Sequence, residues 1–123
     1  MGRLESIGAE EFDGSRLARP GTWTVAFLAD WCPFCRDFEP SFAALAAQPG
    51  IALLVADLTD VESPLWDRFR IDVVPSVIVF RDGEPVFRID GRSGYGLDGK
   101  DIGSIRAASL EGTPAGRTKT GGS

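Results

Sequence analysis

The chain has 123 residues, 43% of them apolar and 25% charged, enough to close one hydrophobic core without crosslinks. A net charge of −5, with thirteen basic residues that form no run, argues against a nucleic-acid or anionic-membrane surface. With no histidine and two cysteines, Ser-His-Asp and Cys-His nucleophiles, imidazole metal ligands and a four-ligand zinc site within one chain are excluded.

In chain order, a short strand is expected near residues 4–7 and a helix near 9–17. TWTVAFLA, residues 22–29, is β-branched and aromatic and reads as a buried strand. Behind it, Phe34, Phe38, Phe42, Leu45 and Ala46 recur at helical spacing, which predicts a helix over 33–48 with Pro40 inside it. IALLVAD, residues 51–57, is a continuous apolar run that suits a strand covered on both faces. Ser63 and Pro64 open a short helix to about Phe69. SVIVF and PVFRI, residues 76–80 and 85–89, flank the hairpin signal Asp82-Gly83.

The glycines of DGRSGYGLDG turn the chain; no GKS or GKT follows to make a phosphate loop. Asp98 then caps a helix over 99–110, with Ile102, Ile105 and Leu110 expected to face inward and Gly112 to end it. Residues 1–111 form one domain. Residues 112–123 have almost nothing to bury and are expected to be disordered. The apolar runs are too short to cross a bilayer, and the N-terminus lacks the apolar core of a secretory signal. The expected location is the cytoplasm, with an exported mature form as the alternative. The order β-α-β-α-β-α-β-β-α implies an α/β fold with a mixed central sheet flanked by helices.

The chemistry centres on DWCPFC, residues 30–35. Cys32 falls near the N-cap of the long helix, where first-turn N–H groups and the helix dipole favour a thiolate. Its pKa is expected below the free value of about 8.5. Cys35 lies one turn on, closer to the core, placed to attack a disulfide formed at Cys32. A structural disulfide would close too short a loop to stabilise much. A metal half-site completed by a second subunit, or two inert thiols, are further alternatives, but a helix start activates a sulfur.

The element order, WCPFC at a strand-to-helix junction, Pro40 within the helix and the VVPSVIVFRDGEPV hairpin together resemble the thioredoxin family, over roughly residues 4–110. The resemblance implies the thioredoxin fold and a thiol–disulfide oxidoreductase acting through Cys32 and Cys35. It implies a cis Pro75 beside the sulfurs, with the backbone of Val74 pairing with an extended substrate. Trp31 and Phe34 would shape the contact surface, while Trp23 and Trp66 read as core or scaffold. Protein disulfides would be the substrates, the molecule a monomer, and no organic cofactor or metal would be needed. A recycling reductase is implied, a flavoprotein thioredoxin reductase by family expectation.

The sequence also departs from the family. Pro33-Phe34 replaces the usual Gly-Pro and is closer to the Pro-aromatic pair of glutaredoxins, which suggests glutathione as an alternative donor. With no histidine in this dipeptide, a reductant or near-neutral exchanger is expected. Ala26 stands where thioredoxins bury an aspartate, and Asp57 stands on the neighbouring strand where many relatives carry lysine. Asp57 is therefore a candidate proton acceptor for Cys35. Asp30 and Arg36 flank the motif with opposite charges and read as surface residues. Two rival functions remain: an exported oxidant or isomerase, and a binding module of the same fold, bridged as a dimer by a metal or cluster.

Overall fold

The computed structural model describes residues 4–92 and 96–110. In chain order the strands are β1 (Ser6–Ile7), β2 (Phe12–Asp13), β3 (Arg16–Leu17), β4 (Thr22–Leu28), β5 (Leu53–Asp57), β6 (Ser76–Arg81) and β7 (Glu84–Asp90). The helices are α1 (Pro33–Ala44), α2 (Leu65–Arg68) and α3 (Gly99–Leu110). Five strands form a mixed sheet in the order β1-β5-β4-β6-β7. Its first three are parallel, while β6 and β7 run antiparallel to their neighbours. The β6–β7 turn takes positive φ at both Asp82 and Gly83, the backbone that matches the twist of a tight hairpin.

β4 is the central strand, and Val25, Ala26 and Phe27 on it are fully buried. Residues of β4 point alternately to the two faces of the sheet. Phe27 meets Phe12 and Phe69 on one face, with ring centroids 6.2 and 5.2 Å away. Thr24, Ala26 and Leu28 share the other face, where the Thr24 and Ser109 hydroxyls bond at 2.6 Å. That face is covered by α3, with Ile105 at 0% exposure. Among the described residues no helix is long and apolar enough to cross a membrane.

Three expectations change. The helix over 9–17 is absent: a 3₁₀ turn, Ala9–Glu11, leads into the β2–β3 hairpin, in which Phe12 opposes Leu17. Gly14 at φ +63 turns the chain, and both apolar partners are buried, so a turn residue and core contacts override a thin helical pattern. The long helix stops at Ala44 and continues as a 3₁₀ turn, Leu45–Ala47, leaving Ala46 exposed.

On α3, Leu110 is 44% exposed and Ile102 half-buried, while Asp101 and Ser109 are buried with Ile105. Residues 101, 105 and 109 recur every four positions and share one face. Arg92 and Thr24 give the two polar ones partners inside. Gly112 and the expected disordered tail lie outside the described residues, as does the centre of the glycine-rich segment, residues 93–95.

Candidate active site

β4 delivers the chain to one end of the sheet, and α1 starts four residues beyond Ala29. Cys32 is the N-cap, in extended conformation, with Pro33 at the first helical position. Pro33 has no N–H to satisfy there and a φ already suited to the helix. The Cys32 sulfur accepts a hydrogen bond from the Cys35 N–H at 3.3 Å. As a thiol it donates to the Val74 carbonyl at 3.6 Å. The Val74–Pro75 peptide bond is cis. Both sulfurs are free thiols and both are buried, Cys35 the deeper at 2% exposure.

Burial pushes the Cys35 thiol up to about 12; a backbone hydrogen bond from Ala29 opposes the rise, while Cys32 and the charge of Glu39 add to it. Ala26 below is fully buried and apolar, as the sequence indicated. Asp57, the candidate proton acceptor, is not buried. It stands exposed at the end of β5, where its Oδ1 accepts from the Thr59 N–H at 2.9 Å and the Thr59 hydroxyl at 2.6 Å. Thr59 in turn accepts from the Asp30 N–H at its hydroxyl and from the Trp31 indole at its carbonyl. Asp57 thereby helps hold the loop that carries Trp31. A cleft of about 310 Å³ opens beside Cys35, and Glu39, Asp57, Asp30 and Arg36 line it.

The surface around the sulfurs is apolar. Trp31 is 50% exposed and Phe34 37%. Trp31 stacks on Trp66, with ring centroids 6.3 Å apart and planes 11° from parallel. Trp66 is therefore part of this surface as well as of the scaffold. Trp23 lies elsewhere, bonded to the Pro20 carbonyl beneath the Arg19 guanidinium. On the other side the glycine-rich segment returns against the motif. Arg92 and Gly96 exchange both backbone hydrogen bonds, and Gly91 donates to the Pro75 carbonyl at 2.9 Å. At Gly96, φ is +66, and a Cβ would stand 3.0 Å from Phe34 Cβ and 3.4 Å from Pro75 Cδ. Only glycine fits this approach without displacement.

The sequence thus located Cys32, Cys35, Trp31, Phe34, Val74 and Pro75, and the structure brings all six together. It missed Trp66, Gly96 and Glu39. The glycine cluster was the visible trace of the second, and a spacing of four residues after Cys35 that of the third; Trp66 left no local signal.

A thiol at a helix start, a second thiol one turn in, and a backbone carbonyl beside a cis proline match what the sequence resemblance led one to expect. The thioredoxin family model matches residues 4–97.

The chain belongs to the thioredoxin family.

Among relatives of this thioredoxin-family chain, a thioredoxin of Chlamydia trachomatis is 32% identical over 89 residues, covering 72% of this chain and 84% of that protein. Protein disulfide-isomerase A6 of Homo sapiens is 32% identical over 87 residues, or 67% of this chain. The chain spans only 20% of the length of that isomerase. In three dimensions, a mutant thioredoxin from Halobacterium salinarum superposes with a TM-score of 0.60 at 27% identity, covering 78% of each chain. The α/β architecture read from the sequence is thus the thioredoxin fold.

Proposed function

We propose that this protein is a thiol–disulfide oxidoreductase that reduces protein disulfides. One observation carries the proposal: Cys32 caps a helix while its sulfur receives the N–H of Cys35, the second thiol, one turn inside. A Cys32 thiolate attacks a substrate disulfide and releases one substrate thiolate. Cys35 then attacks Cys32, expels the second substrate sulfur, and leaves a Cys32–Cys35 disulfide. Two electrons pass to the substrate, carried by the two sulfurs without organic cofactor or metal.

Trp31, Phe34 and Trp66 offer the apolar surface for the substrate. Val74 offers its backbone, whose carbonyl is released when Cys32 has no proton to donate. Pro75 has no N–H to compete for the sulfurs. A reductase that recycles the disulfide completes the cycle. We propose a monomer working in the cytoplasm, where thiols stay reduced.

The test equilibrates the protein with glutathione buffers and measures the reduction potential of the pair. A value more negative than about −200 mV is expected, and one near −120 mV would reverse the proposed direction of electron flow. A pair that never exchanges, in a protein that purifies with metal or colour, would favour the binding-module alternative.

A further inference from the structure

Resolution of the mixed disulfide requires Cys35 to lose a proton, and its surroundings oppose that loss. Burial holds the thiol protonated up to about 12. The buried centre of the sheet offers nothing to take the proton. Ala26 and Val77 are apolar and fully buried, and among the described residues the one buried carboxylate, Asp101, is bonded to Arg92 at 2.5 Å.

The open route is the cleft beside Cys35. At about 310 Å³ it has room for several waters, each occupying about 30 Å³. The charged groups facing it are Asp30 from the loop after β4, Arg36 and Glu39 from α1, and Asp57 from β5. Cys32 is the other titratable neighbour of Cys35. Arg36 is a cation and donates to the Asp30 carbonyl. Asp57 is tied to Thr59.

Glu39 differs from these. It stands four residues after Cys35, on the same face of α1, a spacing that sets Cβ atoms about 5–6 Å apart. Its side chain is exposed, and no hydrogen bond or ion pair joins its carboxylate to another described residue. Of the cleft's carboxylates, it is the one carried on the same helix as Cys35, one turn away.

We propose that Glu39 accepts the proton of Cys35, through the water of this cleft, when Cys35 resolves the mixed disulfide. The proposal rests on the oxidoreductase function above. With a substrate sulfur bonded to Cys32, the Cys35 proton passes to a Glu39 oxygen and the Cys35 sulfur attacks Cys32 Sγ. The Cys32–substrate bond breaks as the Cys32–Cys35 bond forms. The substrate sulfur leaves as a thiolate, which takes up the proton. The transfer also neutralises Glu39, so the charge that opposed the Cys35 thiolate disappears at the moment that thiolate forms. Asp57 is left the positioning task of holding Thr59 and, through it, Trp31.

The experiment mixes reduced protein with dithiobis-nitrobenzoate in a stopped-flow instrument. A first release of coloured thiolate reports attack by Cys32, and a second reports resolution by Cys35. Glu39→Gln is expected to slow the second release by about tenfold or more at neutral pH, the low end for general-base assistance, while the first keeps its rate. Glu39→Asp, which keeps a carboxylate at this position, is expected to restore most of the rate.

A second release as fast or faster in Glu39→Gln overturns the proposal, since loss of the charge alone would ease ionisation of Cys35. Slowing by Asp57→Asn, with Glu39→Gln at the unmodified rate, overturns it in favour of Asp57. Absence of the first release in the unmodified protein would remove the oxidoreductase function, and this proposal with it.

Discussion

Two helices of this protein begin in nearly the same way and serve opposite ends. At the start of α1 the Cys32 sulfur accepts the N–H of Cys35, three residues on. At the start of α3 the Asp98 carboxylate accepts the N–H of Asp101, also three residues on, and Asp101 returns a bond to the Asp98 N–H at 2.7 Å. In both, the third residue after the cap is a buried acid. Burial pushes the Asp101 carboxyl up, but the Arg92 guanidinium and the Asp98 N–H outweigh it and hold the group below the usual carboxylate range. Cys35 has no such cation, and burial prevails. One capping geometry gives a fixed ionic lock where a counter-charge is supplied, and a withheld nucleophile where it is not.

The largest effect expected from breaking this comparison is on turnover. Cys32→Ser keeps an N-cap acceptor but removes the nucleophile, so reduction of a protein disulfide should fall about a thousandfold or more. Its melting temperature should change little. Turnover at full strength would show that the capping sulfur is not the reacting one.

Removing the lock at the other helix should act on stability instead. Asp101→Asn is expected to lower the unfolding free energy by about 2 kcal/mol at neutral pH, measured by denaturant titration. Because the folded carboxyl titrates below its unfolded value, its contribution is complete above the unfolded pKa and is lost as pH falls through the folded one. The deficit of the variant should therefore shrink on acidification. A deficit that persists unchanged in acid would mean that shape, not charge, is at work.

Between the two helix starts runs the Arg92–Gly96 bridge, which pairs with Asp101 on one side and presses on Phe34 on the other. Gly96→Ala should cost about 1 kcal/mol, from its positive φ and its contact with Phe34. Thr24→Val should have the smallest effect, about 0.5–1 kcal/mol, because the Ser109 hydroxyl keeps its bond to the Ile105 carbonyl at 2.7 Å. Combined with Ser109→Ala it should cost less than the sum of the two single changes, which a double-mutant cycle would measure.

Much of this was legible in the amino-acid order alone, where the physics is local. A proline and a capping residue start α1, its aromatic spacing carries it, and Asp82-Gly83 turns the β6–β7 hairpin. The pair of cysteines at a helix start and the missing carboxylate at Ala26 followed from the same local rules joined to the family resemblance. Each depends on residues within a few positions of one another, so the order of the chain states it directly.

The remainder came from contacts between distant residues. Phe12 joins a hairpin because Phe27, Phe69 and Phe80 receive its ring. α3 turns Ser109 inward rather than Leu110 because Thr24, 85 residues earlier, bonds its hydroxyl. Trp66 lies on Trp31, Gly96 on Phe34, and Asp57 on Thr59, while Asp57 and Glu39 both border the cleft beside Cys35. Short-range propensity selects which elements form. Which of their faces meet is settled by packing and by hydrogen-bond satisfaction across the whole fold, and no window of sequence contains both partners.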